Sequence, residues 1–116
     1  MPINTRKKGQ RTFAKACRYA RSFPGTVLIP IYQISRFAQP QCFDMLLLRP
    51  THWPRFVEVR TTQWGVSKPS TRQLAALPGD GYLKQIWRFR RGATTPDIRV
   101  WNEAAWIVQN NPWEEA

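Results

Sequence analysis

The sequence predicts an α/β domain, a mixed β-sheet with helices packed against it. Three observations lead there. A basic segment at 5–22 has helical periodicity, and β-rich runs recur at 26–34, 43–49, 55–61, 82–91 and 98–101. A second, short helical segment separates the third run from the fourth. The order α-β-β-β-α-β-β interleaves both element types, as a sheet covered by helices requires. A chain of 116 residues suits one domain, spanning 1–116 with a core over about 5–101.

Each element has a local reason. In "TRKKGQRTFAKACRYARS", Lys7, Lys8, Arg11, Lys15, Arg18 and Arg21 fall on one side of a helix. Phe13, Ala16, Cys17, Ala20 and, just beyond, Phe23 fall on the other. Thr5 is a candidate N-cap, and Pro24-Gly25 stops the helix. "TVLIPIYQI" reads as a strand in which Pro30 argues for an edge or a bulge. "SRFAQPQ" is a loop. The runs 43–49 and 55–61, joined by "PTHWP", read as a hairpin. Ser70 or Thr71 is expected to cap the helix "TRQLAAL", which ends at Pro78-Gly79. In "YLKQIWRFRR", Leu83, Trp87 and Phe89 alternate with Lys84, Arg88 and Arg90. "IRVW" can pair with that strand. The tail 102–116 is ambiguous and reads as a short helix followed by a frayed end.

The formal net charge is +11, from 18 Lys and Arg against 7 Asp and Glu. Such an excess makes a polyanion the natural partner. The first helix sharpens this, because a solvated helix face usually mixes signs, whereas this one has six cations and no anion. Two cysteines and one histidine give neither a disulfide framework nor a zinc spacing, and suit a reducing cytoplasm, in a cell or in the host of a virus. No apolar run approaches the ~20 residues that span a membrane, and no signal peptide is expected. The six tryptophans are expected mostly in the core or a dimer interface. Gly-rich phosphate loops, Ser/His/Asp nucleophile sets and helix-turn-helix pairs are absent from the sequence.

In this cationic chain the first two acids, Asp44 and Glu58, fall in the predicted hairpin. A hairpin centred near Thr51 sets Asp44 directly across from Glu58, their side chains within about 5 Å. Two such carboxylates repel unless a cation joins them. Mg²⁺ or Mn²⁺ accepts one or two carboxylates together with phosphate oxygens and water. Arg60 projects from the same face as Glu58 and adds positive charge beside the pair. These groups suit metal-assisted phosphodiester hydrolysis. The plain alternative is that both acids form salt bridges with neighbouring arginines.

The stretches "RKKGQRTFAKACRYARSFPG", "FDMLLL" and "FVEVRTT", in this order, resemble the PD-(D/E)xK nuclease superfamily, in particular the small archaeal-type Holliday junction resolvases. "KPSTRQLAALPGDGYLKQIWRFRRG" extends the resemblance, which covers roughly residues 6–92. It implies a restriction-endonuclease-like fold, a central mixed sheet flanked by helices. It further implies a Mg²⁺- or Mn²⁺-dependent DNA endonuclease acting as a homodimer, possibly on branched DNA. Asp44, Glu58 and the Val59 carbonyl would hold the metal, with Arg60 at the phosphate and Gln73 nearby. Lys7, Lys8, Arg11, Lys15, Arg18, Ser35, Arg36, Lys68, Arg88 and Arg90 would contact DNA. Three positions depart from the pattern. Phe43 replaces the usual Pro, Arg60 replaces the motif Lys, and Phe13 stands where the first helix usually carries Glu. Gln10 and Gln33 are candidate neutral oxygens in place of that Glu. Arg cannot accept a proton, so a base role is excluded for residue 60. Two non-catalytic alternatives are a weakened nucleic-acid-binding protein of the same fold and a small basic protein of a ribonucleoprotein assembly.

Overall fold

The computed structural model describes residues 5–30 and 42–114, with side chains of the first helix described from residue 10 onward. Helix α1 (Thr5–Arg21) precedes strands β1 (Val27–Pro30), β2 (Met45–Leu48) and β3 (Arg55–Thr61). Helix α2 (Pro69–Ala76) follows, then β4 (Leu83–Phe89), β5 (Asp97–Trp101) and β6 (Trp106–Gln109). The strands form one mixed sheet in the order β1-β2-β3-β4-β5-β6. Only β3 and β4 run parallel among these neighbours, joined by the crossover that contains α2.

The α/β class and the order of the first seven elements are those expected, and β6 is the correction. The tail holds a strand where a helix was expected. Trp106 to Gln109 pairs antiparallel with β5, and Glu103 takes φ 71° in the turn between them. Nor do residues 110–114 fray. Arg55, buried at the start of β3, donates from Nε to the Pro112 carbonyl at 2.9 Å and from Nη1 to the Trp53 carbonyl at 2.6 Å. Its guanidinium also lies 4.8 Å from the Trp113 ring, which is itself buried.

Alternation along the strands divides the sheet into two faces. Met45, Leu47, Val57, Trp87, Phe89 and Ile98 form the main core with Ala16 and Ala20 of α1. Among the described side chains of that helix, Thr12, Ala16 and Ala20 are buried, four residues apart, and their small size lets it lie close to the sheet. Trp87 is fully buried and satisfies its indole N–H on Gln85 Oε1 at 3.0 Å. Truncating so large a buried side chain to alanine costs about 3–5 kcal/mol.

The other face carries Glu58, Arg60, Lys84 and Ile86, and α2 covers part of it. Helix α2 starts at Pro69, whose missing N–H suits the first turn. Its N-cap is Lys68, with no side-chain cap, so the expected cap by Ser70 or Thr71 is not formed. At the other end, Lys84 Nζ donates to the carbonyls of Ala75 and Leu77, both at 2.7 Å. These are two of the acceptors a helix end leaves unpaired. Pro30 ends β1, the edge strand of the described sheet, where a missing donor is tolerated. No described helix is long and apolar enough to cross a membrane.

Candidate functional site

The β2–β3 hairpin has the expected register. Met45 pairs with Val57, Leu46 with Phe56 and Leu47 with Arg55, each pair symmetric about residue 51. Thr51 turns the chain with φ 64°. The ladder ends at the Met45–Val57 pair; just before β2 the Asp44 N–H donates to the Val57 carbonyl at 2.8 Å, one residue out of that register, so the expected pairing of Asp44 directly across from Glu58 is not formed. Asp44 Oδ2 accepts the Val59 N–H at 2.6 Å. The N–H and C=O of one strand residue point to the same side, so the Val59 carbonyl faces Asp44 as well.

Burial raises the Asp44 pKa above the ordinary carboxylate value, and the Glu58 charge raises it further. The Val59 N–H and the Arg60 charge act against this. Asp44 therefore lies within reach of the Glu58 charge.

Glu58 is only 4 % exposed, and both of its oxygens have partners. Thr71 donates its hydroxyl to Oε1 at 2.6 Å, and Arg60 Nη2 pairs with Oε2 at 2.8 Å. The same Nη2 lies 2.7 Å from Thr71 Oγ1 and 2.9 Å from Ser70 Oγ. Arg60, Thr71 and Glu58 thus close a compact ring of charge-assisted hydrogen bonds. Gly65, at φ 63°, walls it in, since a Cβ there would approach Arg60 Nε to 3.2 Å. Arg60 Nε is buried without a hydrogen-bond partner.

The donor set is all oxygen, with two carboxylates and one main-chain carbonyl, and fits a hard divalent cation that fills its other positions with water or phosphate. Among the described residues no group of three or more His, Cys, Asp or Glu side chains converges. A cation held here would share Glu58 with Arg60. The salt-bridge alternative is met in part, because Glu58 has its arginine. The bonds of Asp44 run to main-chain groups instead.

Other expected residues are distributed as follows. Gln73 is exposed on α2, and Thr71, two positions earlier on another side of the helix, is the residue that reaches Glu58. Arg11 and Arg18 are exposed on α1, and Lys15 is half-buried. Lys7 and Lys8 belong to α1, but their side chains lie outside the described residues, as do Gln33, Ser35 and Arg36 entirely. Lys68 is exposed at the start of α2.

Arg88 and Arg90 both pair with Asp97, at 2.7 and 2.8 Å. This acid was not anticipated as their partner. Arg88 also lies against the Trp64 ring at 4.6 Å, and Arg99 lies against the same ring at 4.2 Å. Trp64 therefore serves as a cation–π partner for two arginines. Thr71, Asp97 and Trp64 carried no spacing signal, because each gains its partner through a tertiary contact. Arg91, the last residue of the basic run "RFRR", is exposed just beyond the end of β4.

No known family model matches this chain, and neither a curated protein nor a solved structure does.

Proposed function

We propose that this chain is a metal-dependent DNA endonuclease of restriction-endonuclease-like fold, similar to the Holliday junction resolvases. The observation that carries this is the acid pair itself. In a chain of net charge +11, Asp44 just before β2 and Glu58 on β3 are neighbours, and burial, helped by the Glu58 charge, raises the Asp44 pKa. Glu58 has Arg60 as its counter-charge, whereas the bonds of Asp44 run to main-chain groups, so a cation would relieve a buried Asp44 placed beside a second acid. The element order, with Asp before β2 and Glu-x-Arg on β3, supports the same conclusion.

Asp44, Glu58 and the Val59 carbonyl would hold Mg²⁺ or Mn²⁺. Such a cation supplies an activated water and neutralises charge on the phosphate. Arg60 holds Glu58 in place and offers positive charge at the same spot. The exposed cations of α1 would bind the DNA backbone, so affinity would fall steeply with salt. A homodimer acting on branched DNA in the cytoplasm of its cell or host follows from the resemblance, because a four-way junction presents two related cleavage points.

The test uses labelled four-way junction, linear duplex and single-stranded DNA, each with Mg²⁺, Mn²⁺ or EDTA. Metal-dependent cuts that vanish in Asp44→Asn and Glu58→Gln, with DNA binding kept, are expected. One observation favours a second reading, a nucleic-acid-binding protein weakened in catalysis. Arg60 already neutralises Glu58, and it replaces a residue type able to lose a proton. DNA binding by the unmutated protein with no cut under any metal would select that reading.

A further inference from the structure

We propose that a cleft on the α1 face of the sheet is a separate phosphate-binding site that grips the backbone of duplex DNA. DNA as the partner rests on the function proposed above, which already gives the α1 cations to the backbone; the cleft adds Arg91, Thr12 and Thr61 and a defined place for one phosphate, apart from the acids. The cleft, of about 220 Å³, lies between α1 and the ends of β3 and β4. Arg11, Lys15, Arg90 and Arg91 line it together with Thr12 and Thr61, and no acidic residue does.

Position and chemistry agree. Because β3 and β4 are parallel, their carboxyl ends open at one end of the sheet. Ligands of open α/β sheets bind outside such ends. A concave wall of one charge sign focuses the field and concentrates anions. Thr61 Oγ1 donates to Thr12 Oγ1 at 2.9 Å, which ties the floor of the cleft to α1. Arg91 is exposed, and the Arg90 side chain is 71 % exposed although its Nε engages Asp97.

The cleft continues into a track. Arg11, Lys15 and Arg18 follow one another along α1 at spacings of four and three residues, a span of about 10 Å. A single small phosphate would use only the cleft, whereas a polymer of phosphates uses cleft and track together. Glu58 lies midway along β3 on the opposite face of the sheet, with Arg60 nearer the carboxyl end at which the cleft opens.

The experiment is binding of a labelled duplex in EDTA, followed by fluorescence anisotropy over a range of NaCl. The variant is Arg11→Gln/Lys15→Gln/Arg91→Gln, all near-surface changes, with Arg91→Gln alone as the fallback if the triple variant does not fold. Each phosphate contact contributes about 0.9 to the slope of log K against log salt. The triple variant is expected to lose roughly 2.7 from that slope, and the single variant about 0.9, equally for unrelated DNA sequences. An unchanged slope in a folded variant overturns the proposal. So does a slope change seen with single-stranded RNA and absent with duplex DNA. Cutting with Mg²⁺ by a triple variant of unchanged slope refutes the cleft and leaves the nuclease standing. The expected slope loss in a chain that never cuts refutes the nuclease and leaves the cleft standing.

Discussion

Strand β3 has an arginine near each end, and the two are held in different ways. Arg55 is buried and ties the start of β3 to the C-terminal segment through the carbonyls of Trp53, Pro112 and Glu114. Arg60 stands on the opposite face and is paired with a carboxylate and two hydroxyls. Carbonyls are fixed acceptors with nothing to exchange, so the Arg55 end is architecture. Glu58 is a charge that a cation or a phosphate can compete for, so the Arg60 end can respond to a ligand. The same residue type serves both purposes because its planar fork satisfies several acceptors at once.

The widest separation of the two ends comes from the acids. Asp44→Asn and Glu58→Gln are expected to lower the cleavage rate about 10³-fold or more, about 4 kcal/mol at the transition state. Asp44→Asn should at the same time stabilise the fold. Its raised pKa means that the folded chain holds this proton more tightly than the unfolded chain does. Stability therefore falls as pH rises through the folded value, and the cost is present at neutral pH. Thermal melts should place the variant above the parent at pH 7, with the gap closing as pH falls toward the unfolded value of about 3.9. A variant less stable than the parent at pH 7 would show that Asp44 is a structural anchor, as Arg55 is.

Next in size is Arg55→Met. It strands at least two buried carbonyl acceptors and should cost about 3 kcal/mol of stability by denaturant unfolding. Any shift in melting temperature caused by Mg²⁺ should survive it. A lost Mg²⁺ response would mean that the two ends are coupled. Arg60→Lys is expected to speed cleavage roughly tenfold, about 1.4 kcal/mol, by loosening the hold on Glu58 and offering an ammonium that can lose its proton. Slower cleavage would show that the guanidinium itself serves the phosphate.

Asp97→Asn is the smallest change. Hydrogen bonding from Arg88, then from Arg90, holds this carboxyl below its usual pKa. Its stabilisation is present above the unfolded value and is lost as pH falls through the folded one. The pair is partly exposed and screened, so the loss should be under about 1 kcal/mol. Freeing two arginines should tighten duplex binding and steepen its salt dependence, measured by anisotropy. Unchanged binding would remove Arg88 and Arg90 from the DNA surface.

Much of the candidate site was legible because hairpins are local. Two β-rich runs and a connection of fixed length leave one register that buries Met45, Leu47 and Val57, and this register brings Asp44 to the stretch of β3 that holds Glu58. The partner of Glu58 on α2 was not legible. Thr71 sits where a helix cap is expected, and only the packing of α2 on the sheet turns its hydroxyl toward the acid. Asp97 hid for a similar reason, since its claim on two arginines depends on the β4–β5 register. The run "WIVQ" is too short for its periodicity to distinguish strand from helix, and pairing with β5 settles it.

By itself, the amino-acid order determined the first seven elements, the basic periodicity of α1 and the register of the β2–β3 hairpin, because periodicity and short connections act over a few residues. Tertiary structure decided what each charge touches. It gave Arg60 to Glu58, Arg88 and Arg90 to Asp97, and Arg55 to the carbonyls of the C-terminal segment. Partners of long flexible side chains are chosen by whichever acceptor the packed sheet brings within about 3 Å, and that distance is fixed only once distant segments have docked.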